Sequence, residues 1–383
     1  MFEMINNRQV IFGAGEVSRI PGLLAWHHCR KAFLAVYDKE APVCGQITED
    51  LAAQGIEYCI FDRIHTEPDT KLLNAGRDLF VSEGCDCTVA VGGGSVLDAA
   101  KAIGMMAVNG GTAEEYQMQG RQVRLAPPLL IAVPTTSGTG SEATRVSVVT
   151  NSESGLKKSF YHTSMIADIV ILDPELTIPL PPQVTAATGM DALSHAVESY
   201  VSLNANPLTE LYGIKAIELV AANLVRAYRH PEDKGARAGM MLASYLGGCA
   251  ITAGIGIAHI MAQPLGAYYH IPHGDACSIF LPAAMEQNLS YAPEKYARIA
   301  KALGVGAEAL STIETARLGI QKVREIQNAI HAPASLTDYI KDPPEPEKLT
   351  ALIMQTCGHI TCNPRPLNDE LIREMLQRTY PGY

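Results

Sequence analysis

Three short runs in the first hundred residues, KAFLAVYD (31–38), GIEYCIFD (55–62) and CTVAVGGG (87–94), are β-branched or aromatic and stop at Asp or Gly. Helical stretches at 44–54 and 70–83 lie between them, and PPLLIAVPTTSGTG (127–140) repeats the strand-then-glycine pattern. Strands alternating with helices of about 10–15 residues call for a parallel sheet with helices on both faces. Such a sheet takes its ligands at the carboxyl ends of the strands, where these Asp and Gly residues fall.

The alternation ends at the proline-rich DPELTIPLPPQ (173–183). Ala/Leu/Ile/Met segments with helical spacing follow at 187–202, 207–229, 235–267, 291–303, 313–330 and 367–379, and strand signals largely vanish. The expectation is an α/β domain with a parallel sheet over residues 1–182 and an all-α domain over 183–383. At 383 residues the chain is long enough for two domains with their own cores.

The net charge of −10 comes without a basic tract, which argues against nucleic acid and anionic membrane as partners. The nine scattered cysteines lack the even, dense spacing of a secreted disulfide framework and are expected as reduced, mostly buried thiols. No secretory signal is visible at the N-terminus, and the apolar run 251–267 is short for a membrane span and interrupted by His, Gln and Pro. A cytoplasmic location is expected.

GGGSVLDAAKA (92–102) follows a strand and opens a helix. Its glycines let the backbone approach a phosphate, and free N–H groups at a helix start favour an anion; a tight strand–helix turn is the plainer reading. VPTTSGTGSEATR (133–145) is a second strand-to-loop element, dense in hydroxyls, suited to a nucleotide or to capping the next helix. Asp38 ends a strand and reads either as an acceptor for ribose hydroxyls, favouring NAD over NADP, or as a helix cap.

TGMDALSHAVESY (188–200) places Asp191 and His195 four residues apart on one helix face. His259 and His273 lie in a second apolar segment, GIAHIMAQPLGAYYHIPHG (256–274). One histidine on an apolar helix is an ordinary core residue. Four such groups in two apolar segments are costly to bury unpaired, and Asp with His suits a divalent transition metal.

Together, GGGSVLDAAKA, TTSGTGSEATR, DPELTIPLPPQVTAATGMDALSHAVESYVS, HIMAQPLGAYYHIPHG and TCNPRPLND (361–369) resemble the iron-containing, group III alcohol dehydrogenases from about residue 8 onward. The resemblance implies a dehydroquinate synthase-like architecture, an N-terminal dinucleotide-binding domain and a C-terminal helical domain. It implies Asp191, His195, His259 and His273 as metal ligands, for Fe²⁺ or sometimes Zn²⁺. It further implies Asp38 on the NAD(H) ribose, Gly93, Gly94, Ser95 and Asp98 at the pyrophosphate, Thr135, Thr136 and Thr139 in a second cofactor loop, and Lys157 on the nucleotide. The implied reaction is hydride transfer between a small primary alcohol or aldehyde and nicotinamide, with the metal as Lewis acid. A homodimer or larger homo-oligomer is implied as well.

Two positions depart from the family pattern. Gln263 stands where many members carry a histidine able to relay a proton, and glutamine does not titrate near neutrality. His270, or a chain of waters, is the expected substitute relay. DACSIFLP (275–282) replaces the usual ANA-type residues, and Asp275 and Cys277 read as neutral variation or as altered helix packing near the metal. Competing readings are a glycerol dehydrogenase or maleylacetate reductase type, a metallohydrolase, which would not need the two nucleotide-type loops, and a non-catalytic assembly protein with a closed structural metal.

Overall fold

The computed structural model describes residues 2–306, 309–341 and 345–381, and the chain divides into two units. The first holds residues 3–136 and 141–177, the second 137–140 and 178 onward.

In the first unit the chain runs β1 (Gln9–Phe12), α1 (Ile20–Trp26), β2 (Lys31–Val36), α2 (Pro42–Ala53), β3 (Glu57–Phe61), α3 (Thr70–Ser82), β4 (Cys87–Gly92), α4 (Gly94–Asn109), α5 (Ala113–Met118) and β5 (Leu129–Pro134). A two-stranded hairpin, β6 (Val146–Ser147) and β7 (Phe160–Tyr161), precedes β8 (Ile169–Leu172). The six long strands form one sheet in the order β1-β8-β5-β4-β2-β3, every pair parallel. The expected parallel α/β architecture is borne out. Central strands read as continuous apolar runs because helices cover both faces; every residue of β4 is buried. From β2 the chain steps outward to β3, then returns to the other side of β2 for β4 and β5. The switch point of the sheet therefore lies between β2 and β4. Register pairs Val36 with Val91 and Gly92 with Pro134, so the segments after β2, β4 and β5 leave from one edge.

In the second unit, α6 (Pro182–Val201), α7 (Pro207–Arg229), α8 (Lys234–Ala250), α9 (Ile257–Tyr269), α10 (His273–Asn288), α11 (Pro293–Ala302), α12 (Thr312–Ala329), α13 (Pro346–Cys357) and α14 (Asp369–Thr379) enclose one apolar core. α6 is its central element, buried at every position from Gly189 to Val201. The stretch 235–267, expected as one helical segment, is two helices with a 104° bend between them. The break sits at Gly254, whose φ of +88° suits glycine and whose Cβ, if present, would lie 2.5 Å from the Cys362 sulfur. Among the described residues no single helix is long and apolar enough to cross a membrane.

Candidate metal and catalytic site

The sheet edge comes first, because it gathers most of the expected cofactor residues. Asp38 is exposed two residues beyond β2, and its Oδ1 accepts the Glu40 N–H at 2.9 Å. Gly93 caps α4 with its backbone alone, and Gly94 and Ser95 form the first turn of that helix. Asp38 and this loop thus flank the switch point. Gly92 is required by packing, since a Cβ there would meet the Val96 side chain at 2.6 Å. Gly93 faces Thr136, whose methyl would lie 3.4 Å from an added Cβ, so the β4 and β5 loops adjoin. The Thr135 N–H donates to the Gly92 carbonyl at 3.0 Å.

Three expected residues have partners or places of their own in the fold. The buried Asp98 carboxylate accepts from the Ser141 hydroxyl, from the Val148 N–H at 2.8 Å and from Lys101 Nζ at 3.4 Å. It ties α4 to the segment 141–148. The Lys157 ammonium pairs with the Glu67 carboxylate. Thr139 lies in the 137–140 stretch of the second unit, where the glycines permit backbone contact. A Cβ on Gly138 would strike Thr188 at 2.7 Å, and one on Gly140 would strike Gly248 at 2.6 Å.

The titratable cluster lies in the second unit. The apolar spacing of α6 puts Asp191, His195 and Glu198 at i, i+4 and i+7 of one face. Asp191 Oδ1 lies 3.6 Å from His195 Nε2, 3.4 Å from His259 Nε2 and 3.5 Å from His273 Nε2. The His195 and His259 rings stack at 4.5 Å, and the His273 ring stands 5.5 Å from that of His259. The structure thus brings together all four residues expected to hold metal. Asp191 and His259 are almost wholly buried, whereas the His273 side chain is 31% exposed and forms the open side of the cluster.

Two helix starts position the imidazoles. Gly256 ends the break before α9, and a Cβ there would press on Asn363 Oδ1 at 2.8 Å and Glu198 Oε1 at 3.0 Å. Without it, those side chains reach the helix N-terminus: the Ile257 N–H donates to Asn363 Oδ1 at 3.1 Å and the Ala258 N–H to Glu198 Oε1 at 2.6 Å. A carboxylate there also meets the positive end of the helix dipole. His259 follows in the first turn, and its Nδ1–H donates to Glu198 Oε2 at 2.5 Å. His273 opens α10, and its neighbour Gly274 is demanded by contact: a Cβ would lie 2.2 Å from the Ala187 carbonyl of α6.

These contacts set the protonation states. Burial opposes a charge on His259, but Cys277, Glu198 and Asp191 around it outweigh burial and raise its pKa well above the ordinary value. With Nδ1–H committed to Glu198, loss of the second proton to an incoming ion leaves Nε2 bare beside Asp191, the pattern of a metal-binding histidine held by a carboxylate. His195 Nδ1 lies 3.4 Å from the Gly138 carbonyl, and burial lowers its pKa, which keeps the imidazole neutral. Burial opposes ionisation of Asp191, but as acid protonates the surrounding His195, His273 and His259 their charge outweighs burial and holds its carboxyl well below the usual range.

The donor set fits a divalent ion. Asp191 Oδ1 and His259 Nε2 are buried without a hydrogen-bond partner, a costly arrangement unless something binds both. N/O ligands at about 2.1 Å from a tetrahedral ion stand about 3.4 Å apart. The separations from Asp191 are 3.4 to 3.6 Å, while the group of donor atoms all within 4.8 Å of one another holds Asp191, His259 and His273 but not His195.

Sequence reasoning missed two members of this site. Glu198 carried a signal, since it shares the face of Asp191 and His195, but its histidine partner comes from a distant helix. Cys277, read as neutral or as a packing change, stands fully buried with its Sγ 3.7 Å from His273 Nε2. Its donor atom and those of Asp191, His259 and His273 all lie within 4.8 Å of one another.

His270, the expected relay, is exposed at the C-terminus of α9 with φ of +57°, and no hydrogen bond or ring contact joins it to the cluster among the described residues. Its conformation is one that glycine adopts at helix ends. His270→Gly is therefore expected to leave turnover unchanged and to raise stability by up to about 1 kcal/mol, read by steady-state rates and thermal melting. A tenfold loss of turnover with metal retained would restore the relay role.

The profile of the iron-containing alcohol dehydrogenases matches residues 7–174, and that of the family's C-terminal domain matches 185–380. The chain is 36% identical over 347 residues to the choline dehydrogenase of Bacillus subtilis, covering 89% of this chain and 85% of that one. It is 34% identical over 313 residues to the NAD-dependent methanol dehydrogenase of Bacillus methanolicus, covering 81% and 82%. A crystal structure of 1,3-propanediol oxidoreductase superposes with a TM-score of 0.95 at 34% identity, over 99% of this chain and 100% of that one. The names of these relatives give three different alcohols: choline, methanol and 1,3-propanediol. The chain belongs to the iron-containing alcohol dehydrogenase family and is an alcohol/aldehyde oxidoreductase.

Proposed function

We propose that this chain interconverts a small primary alcohol and its aldehyde using NAD(H) and a divalent ion held by Asp191, His195, His259 and His273. The observation that carries the reading is the convergence of three imidazole Nε2 atoms on one buried carboxylate oxygen. When bound, the ion supplies Lewis acidity toward the substrate oxygen and the nicotinamide accepts or donates the hydride.

The chain's own residues set the conditions for that chemistry. Glu198 and the Gly138 carbonyl hold the His259 and His195 tautomers, and burial of Asp191 and His259 keeps bulk water from that side. The half-exposed His273 marks the side from which substrate enters. An open side speaks against a sealed structural metal. Gln263 lies one turn beyond His259 and supplies hydrogen bonds but no titrating group, so water beside His273 carries the proton to solvent. At the sheet edge, Gly93, Gly94 and Ser95 at the start of α4 receive the pyrophosphate, and Thr135, Thr136 and Lys157, released from Glu67, line the nucleotide. Asp98 acts there as a positioning residue, by holding the 141–148 segment against α4. Asp38 accepts from the ribose hydroxyls and repels a 2′-phosphate.

The test is metal-stripped protein reloaded anaerobically with Fe²⁺ or Zn²⁺, then assayed on a panel of aldehydes with NADH and NADPH. Metal-restored NADH oxidation is expected, and its absence for every aldehyde and ion sinks the reading. In Asp38→Gly the NADPH-to-NADH ratio of kcat/KM is expected to rise about tenfold or more, a change of roughly 1.4 kcal/mol. The Asp38 assignment fails if the parent already uses NADPH as well as NADH.

A further inference from the structure

We propose that Cys277 is a further ligand at this centre: its thiolate coordinates the divalent ion beside Asp191, His259 and His273 and biases the site toward thiophilic metals. The proposal rests on the reading of the cluster as a metal centre.

The placement is specific. α10 presents His273 and Cys277 at i and i+4, as α6 presents Asp191 and His195, so each helix offers a pair of donors on one face. Gly274, within that first turn, lets α10 close on the α6 backbone, which brings both donors of α10 to Asp191. Cys277 is fully buried, and its donor atom belongs to the four that lie within 4.8 Å of one another. A thiolate about 2.3 Å and an imidazole about 2.1 Å from a shared tetrahedral ion stand about 3.6 Å apart. The Sγ–Nε2 separation observed for Cys277 and His273 is 3.7 Å.

The competing use of the thiol is as an S–H donor to that same Nε2. It is exclusive of the first, because His273 Nε2 cannot both accept a proton and bind the ion. Two further atoms of the group, Asp191 Oδ1 and His259 Nε2, are buried without hydrogen-bond partners, and a thiol–imidazole hydrogen bond satisfies neither. One shared cation satisfies all of them. On coordination the S–H bond is exchanged for a sulfur–metal bond and the proton passes to solvent; nothing is oxidised or reduced.

The chemical consequence is selectivity. Asp with three imidazoles is a borderline donor set that takes Mn²⁺, Fe²⁺, Co²⁺ or Zn²⁺ according to supply, whereas an added thiolate favours the softer ions. It also adds a second negative charge beside Asp191. This site is therefore expected to hold Zn²⁺ or Co²⁺ against Mn²⁺ more strongly than its oxygen and nitrogen ligands alone account for.

The test uses the whole chain, stripped with a chelator and titrated with Co²⁺, with bound cobalt measured by equilibrium dialysis. The parent is expected to show visible ligand-field bands together with a thiolate-to-cobalt charge-transfer band in the near ultraviolet. Cys277→Ser and Cys277→Ala are expected to lose the charge-transfer band while keeping bound cobalt and the visible bands, with melting curves reporting their folding. Preference for Zn²⁺ over Mn²⁺ in direct competition is expected to fall about tenfold or more in both variants. Visible bands without charge transfer in the parent overturn the thiolate ligand and leave the metal centre standing. Failure of the parent to retain cobalt overturns the centre itself. An unchanged Zn²⁺-to-Mn²⁺ preference in both variants also counts against the proposal.

Discussion

Asp191→Asn is expected to weaken divalent-metal binding by at least about a thousandfold, roughly 4 kcal/mol, and to abolish metal-restored oxidoreductase activity. Asn keeps the shape of the side chain and one oxygen but removes the charge. That oxygen is the common neighbour of three imidazoles at 3.4 to 3.6 Å, in a position almost closed to water. With the anion gone, the ion would have neutral nitrogens from three histidines, one amide oxygen and, on the proposal above, the Cys277 thiolate, so the buried site would lose a full unit of compensating charge. The fold has little reason to fail, because α6 is held by apolar contacts along nearly its whole length and Asp191 Oδ1 has no hydrogen-bond partner in the core. Metal content after dialysis and the thermal melt of the stripped protein separate these effects. Stoichiometric retention of metal by a folded Asn variant would remove Asp191 from the ligand set.

Glu198→Gln is expected to lower metal affinity by about 10–100-fold and to cost about 1–3 kcal/mol of stability. The carboxylate accepts two donors at once, the Ala258 N–H and the His259 Nδ1–H. A glutamine carries a single acceptor oxygen, so its NH₂ group must face one of them. Facing Ala258, it leaves the amide that starts α9 unpaired. Facing His259, it drives the imidazole to the tautomer with hydrogen on Nε2, which cannot bind an ion. Either outcome weakens the centre without touching the metal directly. Isothermal titration of the stripped variant with Zn²⁺ reads the affinity, and the KM-to-kcat split of the reloaded enzyme separates loss of metal from altered chemistry. Parent-like affinity in the Gln variant would show that Glu198 only caps the helix.

Much of the architecture was legible along the chain, for periodic reasons. Apolar runs ending in Asp or Gly specify strands of a parallel sheet, and these residues do fall at the carboxyl edge and around the β2–β4 switch point. The pair Asp191 and His195 was readable because four residues make one helical turn. Its extension to Glu198 obeys the same spacing, yet a carboxylate seven residues on is equally a buried ion-pair partner or a cap, and only the arrival of α9 distinguishes them. His270, expected as a substitute relay because Gln263 cannot titrate, is the left-handed residue that ends α9 and is exposed, a placement that spacing along the chain does not report. The 235–267 stretch was misread as one helical segment because helical periodicity does not register a bend made by Gly254 and Gly256.

By itself the sequence determined what depends on neighbours within one or two turns of chain: the strand–helix alternation, the two-part organisation, the donor pair on α6 and the family to which these motifs belong. The tertiary structure decided what depends on segments remote in sequence meeting in space. It joined α6, α9 and α10 into one donor group and chose the His259 tautomer through Glu198. It also brought Cys277 to the ring of His273. The physical reason is the short range of coordination and hydrogen bonding, which act over a few ångströms and so respond to packing, whereas periodicity reports only which face of a helix is buried.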